Sequence, residues 1–178
     1  MNVAAFIDRD GVINEDREFV YRCADFHFIP GSIEALRALR AAGFRLVVIT
    51  NQSGIGRGLF SEADYLAFEA YMRAHLQQAG VVLDSIQYCP HAPDDDCDCR
   101  KPRPGMLLSA IRELQIDPSR SVLIGDRAAD IEAGRGAAVG RCFLVRSGKP
   151  VSAADVGRAD GVYADLAACV ADLLRSDS

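Results

Sequence analysis

The chain lacks any apolar run long enough to span a bilayer, and its N-terminus, MNVAAFIDRD, carries no basic segment ahead of a short apolar stretch. Neither a signal peptide nor a membrane partner is expected, and the chain reads as a cytoplasmic protein. It also lacks a surplus of positive charge. The formal net charge of -5 argues against a nucleic-acid partner, although an acidic protein can still carry a local basic patch. Internal repeats and low-complexity linkers are absent too. With 178 residues, 49% of them hydrophobic, the expectation is a single domain over 1–178, with the tail RSDS at 175–178 frayed. Cysteines are too few and too clustered for a disulfide framework: of the six, Cys89, Cys97 and Cys99 fall within eleven residues, which suits a reducing compartment and a local metal site.

What is present is an alternation of strand-like and helical patterns. Apolar runs at Val3 to Ile7, Leu46 to Thr50, Ile86 to Cys89, Val122 to Ile124 and Cys142 to Val145 read as strands. Between them, Pro30-Gly31-Ser32 opens a helix carrying Ile33, Leu36 and Leu39 to a stop at Gly43. Ser61 caps a second, whose stripe Tyr65, Phe68, Met72 and Leu76 is read as core. A third starts at Pro104-Gly105 and buries Leu107, Ile111 and Leu114; a fourth follows Gly125-Asp126; a last runs from Leu166 to Leu174. Strands alternating with helices predict a doubly wound α/β domain with a parallel sheet.

Such sheets bind ligands beyond the carboxyl ends of their strands. The polar residues there are Asp8 and Asp10 after the first strand, Thr50, Asn51 and Gln52 after the second, and Asp126 after the fourth, with Arg100-Lys101-Pro102 just before the third helix. Asp8 and Asp10 stand two apart, a spacing that puts both carboxylates on one side of an extended chain and makes them a candidate catalytic pair. A lone D-x-D is more often a solvated strand end; it is the convergence of three strand ends that carries the inference.

A second constellation lies in CPHAPDDDCDCRKP, where Cys89, His91, Cys97 and Cys99 offer three thiolates and one imidazole. That is a complete tetrahedral zinc set with no open position, and therefore a structural one. A zinc ion would fold the 89–99 loop and hold Arg100 and Lys101 towards the crevice.

The segments FIDRDGV, VITNQSG, CRKP and IGDRAAD, in that order, resemble the haloacid dehalogenase superfamily of aspartate-nucleophile phosphatases over nearly the whole chain. The resemblance implies a Rossmann-like fold in which Asp8 is the nucleophile and forms an aspartyl phosphate, and Asp10 is the general acid and base. It further implies Mg2+ held by Asp8, the backbone carbonyl of Asp10 and Asp126, with Asp130 orienting ligands or water and Thr50 and Lys101 stabilising the phosphoryl group. No insertion is long enough for a separate cap domain; the loops Asn14 to Arg22 and Ser53 to Phe60 and the zinc loop are expected to cover the crevice.

Within the superfamily the zinc loop narrows the resemblance to the heptose bisphosphate phosphatases and the histidinol-phosphate phosphatases. TNQSGIGRGLF, CDCRKPRPGMLLSA and LVRSGKP look like the heptose group. That group implies a sugar bisphosphate substrate, loss of its 7-phosphate and a place in nucleotide-activated heptose and lipopolysaccharide synthesis. Asp16, Arg17, Glu18, Phe19, Asn51, Gln52, Ser53, Arg57, Arg100 and Arg127 would then line the substrate, with Arg103 adding charge nearby. Two departures point to histidinol phosphate instead: only five residues separate His91 from Cys97, and Arg127 stands where the heptose enzymes carry lysine. A phosphate-binding zinc module without catalysis is the third reading, disfavoured because a binder has no chemical need of Asp8, Asp10, Lys101 and Asp126 together. The small size and missing cap favour a monomer.

Overall fold

The computed structural model describes residues 1–176. Among these residues six strands run in chain order: β1 Ala4–Ile7, β2 Arg45–Asn51, β3 Ser85–Cys89, β4 Val122–Gly125, β5 Arg141–Val145 and β6 Gly161–Tyr163. The helices are α1 Ser32–Ala41, α2 Ser53–Gly56, α3 Glu62–Gln78, α4 Gly105–Leu114, α5 Ala128–Gly136, α6 Ala153–Val156 and α7 Leu166–Ser176. The strands form one sheet in the order β3-β2-β1-β4-β5-β6, every neighbouring pair parallel. All six carboxyl ends therefore share one edge. The order reverses between β1 and β4, and a crevice opens where their following loops diverge.

Both faces of the sheet are covered, as a parallel sheet requires. Alternation along β1 sends Ala5 and Ile7 to one face and Ala4 and Phe6 to the other. The first face packs on α1, α3 and α7 through Leu36, Leu39, Phe68, Met72, Leu76, Val170 and Leu173; the second packs on α4 and α5 through Met106, Leu107, Ala110 and Ile131. The Tyr65 to Leu76 stripe is buried as expected, and Ser61 forms a capping box with Asp64 at the start of α3.

Several expectations change in detail. The buried face of α4 is Met106, Leu107 and Ala110, while Ile111 and Leu114 are only partly covered, because the sheet-facing side of the helix is centred on Met106 and Ala110, and Ile111 and Leu114 stand at its border. Strand β6 escaped the sequence reading: it has three residues, all half-buried, and so no apolar run. The Ser53 to Phe60 loop begins with the single helical turn α2. Of the tail expected to fray, Arg175 and Ser176 complete α7, while Asp177 and Ser178 lie outside the described residues. Among the described residues, no helix is long and apolar enough to cross a membrane.

Candidate active site

Asp8 follows the last residue of β1 and continues its pairing, its N–H donating to Ile124 O of β4 at 3.0 Å. The side chain is almost wholly buried. Its Oδ1 meets Lys101 Nζ at 3.0 Å and accepts from the Arg9 N–H at 2.8 Å. Both contacts fall on Oδ1, which leaves Oδ2 outside them. Burial raises the Asp8 carboxyl well above its usual value; Lys101 pulls it back, and Asp130 and Asp126 push it further up.

Lys101 is itself buried, and its ammonium is fully employed: Asp130 Oδ1 at 2.6 Å, Asp8 Oδ1 at 3.0 Å and the carbonyl of Ile49 at 3.0 Å. Burial alone would lower its pKa, but the charges of Asp130 and Asp8 outweigh that and hold it above the ordinary lysine value. Its backbone is clamped by Asn51, whose Nδ2 donates to Lys101 O and whose Oδ1 accepts from Lys101 N, both at 3.1 Å. Asn51 is in turn paired in the sheet with Cys89, so the end of β2 links the zinc-type cluster to the crevice.

Asp126 and Asp130 complete an acidic floor. One carboxylate oxygen from each of Asp8, Asp126 and Asp130 lies within 4.8 Å of the others. Asp130 spends Oδ1 on Lys101 and accepts the Arg127 N–H on Oδ2 at 3.0 Å, capping α5. Asp126 accepts the Lys149 N–H on Oδ2 at 2.9 Å, while its buried Oδ1 has no hydrogen-bond partner. Burial, and then the charge of Asp130, raise the Asp126 carboxyl. Three carboxylates thus face one buried ammonium; the other nearby cation, Arg127, sits 3.8 Å from Asp126 Oδ1 and is more than half exposed. A hard divalent cation fits that deficit and the orphaned oxygen, since Mg2+ takes oxygen ligands and one or two carboxylates.

The carboxylate of Asp126 is pressed into place by backbone. Gly11 has φ 82°, and a Cβ there would lie 2.5 Å from Asp126 Oδ2; a Cβ on Gly148 would lie 2.0 Å from the same atom. The loop after β5 is fixed by Ser147 Oγ donating to Gly11 O at 2.7 Å.

A cavity of about 350 Å³ opens above this floor. Its lining brings together Asp8, Asp10, Lys101 and Asp130, the segment Thr50, Asn51, Gln52 and Ser53 at the end of β2, and Asp16, Glu18 and Phe19 from the loop after β1. Arg57, Arg100, Arg127 and Lys149 supply its positive charge. Thr50 is buried and its Oγ1 accepts from Gln52 Nε2 at 2.8 Å. Arg100 Nη1 is buried without a hydrogen-bond partner, and Asp16 Oδ2 sits between Arg127 at 3.4 Å and Lys149 at 3.2 Å.

Two sequence expectations do not fit this geometry. Arg17 does not line the cavity; it is exposed and pairs with Glu15 at 2.7 Å, because Asp16, one residue earlier, takes the inward direction. Arg103 faces the cysteine loop, pairing with Asp96 and donating to Cys97 O. Conversely, Lys149 and Arg9 were missed. Lys149 lies four residues beyond the carboxyl end of β5, on the loop that closes over Asp126. Arg9, between two catalytic candidates, is fully buried and turns back onto Asp10.

At the end of β3 the four metal-type ligands converge. Cys89 and Cys99 sulfurs are 3.2 Å apart, Cys89 and Cys97 3.8 Å, and His91 Nδ1 is 3.5 Å from Cys89 and 3.2 Å from Cys99. Ligands at tetrahedral zinc bond lengths would stand about 3.8 Å apart for two sulfurs and about 3.6 Å for sulfur and nitrogen. These spacings come close to that, so the cluster could hold zinc with no open position.

An aspartate at the switch point of a parallel sheet, with a buried ammonium on one oxygen and an acidic floor suited to a hard cation, is a site built for hydrolytic chemistry on an anionic group. The chain belongs to the haloacid dehalogenase-like hydrolases, whose family model matches residues 3–138. It is 49% identical over 168 residues, 91% of each chain, to the D-glycero-β-D-manno-heptose-1,7-bisphosphate 7-phosphatase of Haemophilus influenzae. To the protein of that same name in Escherichia coli (strain K12) it is 47% identical over 92% of this chain and 90% of that one. Among solved structures, the D,D-heptose 1,7-bisphosphate phosphatase from B. bronchiseptica, complexed with magnesium and phosphate, superposes with a TM-score of 0.88 at 36% identity over 99% of both chains.

Gly148→Ala is expected to destabilise the fold by about 1–3 kcal/mol, since Asp126 is held by Lys149 N–H and has nowhere to retreat. Urea unfolding in metal-free buffer measures this, and an unchanged midpoint would show that the loop yields freely.

Proposed function

We propose that the chain removes the 7-phosphate of D-glycero-β-D-manno-heptose 1,7-bisphosphate by way of an aspartyl phosphate, releasing heptose 1-phosphate and inorganic phosphate. The observation that carries a phosphatase is Asp8, buried at the crevice floor with Lys101 on one oxygen. The direction to a heptose bisphosphate is supported by relatives of that name at 46–50% identity and by four cations around one cavity, enough for a second phosphate. The small size of the chain suits a monomer. The product keeps the anomeric phosphate that later nucleotide activation for lipopolysaccharide requires, and the six free cysteines suit a cytoplasmic site.

Asp8 Oδ2 attacks the 7-phosphorus while the bond from phosphorus to the C7 oxygen breaks, and Asp10 gives its proton to that oxygen as it leaves. Asp10, now a carboxylate, takes a proton from the water that attacks the aspartyl phosphate. The bond from Asp8 to phosphorus breaks, phosphate departs and both aspartates return to their starting states. Lys101 and Thr50 stabilise the charge on the transferred phosphoryl group, and Asp130 keeps Lys101 in place. Asp8, Asp126 and the backbone carbonyl of Asp10 would hold Mg2+, which when bound offsets the repulsion between the phosphate and the acidic floor. Arg57, Arg100 and Arg127 would bind the rest of the substrate with Asp16, Glu18, Phe19, Asn51, Gln52 and Ser53. We assign Zn2+ to Cys89, His91, Cys97 and Cys99 as a structural ion that sets the loop leading into Arg100 and Lys101.

With Mg2+ present, kcat/KM for the heptose bisphosphate is expected to exceed that for histidinol phosphate at least about a hundredfold, or about 2.7 kcal/mol of transition-state discrimination. The reverse preference would make Arg127 and the short loop the informative residues and assign histidinol phosphate. Asp8→Asn should retain less than about a hundredth of wild-type turnover; a more active variant would rule out Asp8 as the nucleophile. Protein purified without chelators should contain about one zinc per chain, and Cys99→Ser should lose it. Metal analysis finding no zinc in the wild-type protein would remove the structural-ion assignment.

A further inference from the structure

We propose that Arg9 is a positioning residue that fixes which oxygen of Asp10 carries the transferred proton. The inference rests on the phosphatase reading above and adds a residue to it.

Arg9 is fully buried, directly between the nucleophile and the acid/base in sequence. Its guanidinium donates twice to Asp10 Oδ1, from Nε at 3.1 Å and Nη2 at 2.8 Å, and Nη2 also donates to the carbonyl of Val20 at 2.6 Å. Its Cζ lies over the ring of Phe68, 4.8 Å from the centroid. Asn14 Nδ2 adds a third donor to Asp10 Oδ1 at 2.9 Å, and the same nitrogen donates to Glu15 O at 2.9 Å, which settles the direction of the amide. Three N–H groups therefore crowd one carboxylate oxygen.

That crowding has a chemical consequence. An oxygen already accepting three N–H groups has no lone pair left for a proton, so the proton of a neutral Asp10 resides on Oδ2. Oδ2 meets a single donor, Gln52 Nε2 at 3.2 Å, and Gln52 lines the crevice. Arg9 and Asn14 thus turn the proton-bearing oxygen towards the substrate, where it is given to the leaving oxygen and regained from water.

Arg9 also touches both catalytic carboxylates, through its backbone N–H to Asp8 and its side chain to Asp10. Through Val20 it ties Asp10 to the loop that carries Asp16, Glu18 and Phe19 into the cavity. For stability alone this is a poor choice, because an apolar side chain of similar volume avoids the desolvation of a buried cation. A fixed hydrogen-bonding geometry is what the guanidinium supplies and an apolar residue does not.

The test is a double-mutant cycle on the heptose bisphosphate with Mg2+. Arg9→Met is expected to lower kcat about a hundredfold, at the lower end of what general acid–base catalysis contributes, with KM changed less than threefold. Arg9→Lys, which keeps the charge and one donor, should recover about a tenth of wild-type kcat or more, and it carries the cycle if thermal melting shows that Arg9→Met does not fold. In an Asp10→Asn background the same Arg9 substitution should cost less than about twofold, because there is no proton left to position. Equal losses in both backgrounds, or an Arg9→Met kcat within twofold of wild type, would overturn the proposal while leaving the phosphatase reading intact. A wild-type protein inactive on the bisphosphate would instead remove that reading itself.

Discussion

The buried ammonium of Lys101 is the interaction on which the rest of this site depends. Taking a lysine and two aspartates out of water costs several kcal/mol per ion, and only close mutual contact repays it. Here the contact is close, with Asp130 at 2.6 Å and Asp8 at 3.0 Å. Removing one member would leave the others buried without compensation, at a cost of about 3–5 kcal/mol. Tolerances on Lys101 are therefore tight, and the surrounding structure can be read as the means of meeting them. Asn51 holds its backbone from the end of β2, the cysteine loop delivers it from the end of β3, and α5 presents Asp130 from beyond β4.

This explains why a zinc-type cluster sits so far from the chemistry in role yet so near in sequence. Lys101 arrives on a loop of prolines and aspartates that has no helix or strand to stiffen it between Cys89 and Gly105. A loop of that composition does not hold an ammonium to a few tenths of an ångström. Four ligands drawn together give it a small core of its own, and Gly56 N–H bonded to Pro90 O at 2.8 Å fastens it to α2.

How much of this was legible in the sequence follows from the same physics. Five of six strands announced themselves because strands buried on both faces are continuous apolar runs; β6, at the edge and half-buried, is not. Asp8, Asp126, Thr50 and Lys101 were legible because parallel strands put their carboxyl ends together, so position after a strand is position in the crevice. Arg17 misled for a local reason: within a loop, neighbouring side chains diverge, and Asp16 took the inward place. Arg9 and Lys149 were illegible for opposite reasons. A fully buried guanidinium looks in one dimension like a solvated spacer, while Lys149 stands four residues past the end of β5, where loop geometry and the close approach of Gly11 and Gly148 to Asp126 decide its direction.

The division of charge between floor and rim bears on substrate choice. The floor is acidic, with three carboxylates to one ammonium, and repels a phosphoryl group until a cation is bound there. The rim is basic and works without a metal, through Arg57, Arg100, Arg127 and Lys149. In the proposed reaction a second phosphate would hold the substrate at the rim while the first meets the floor. Asp16, set between Arg127 and Lys149, keeps two of those cations from repelling each other before the substrate arrives. Under that proposal, binding energy collected at the rim would be available to carry the reacting phosphate down to Asp8, which is how such a site would select a bisphosphate over a monophosphate of similar size.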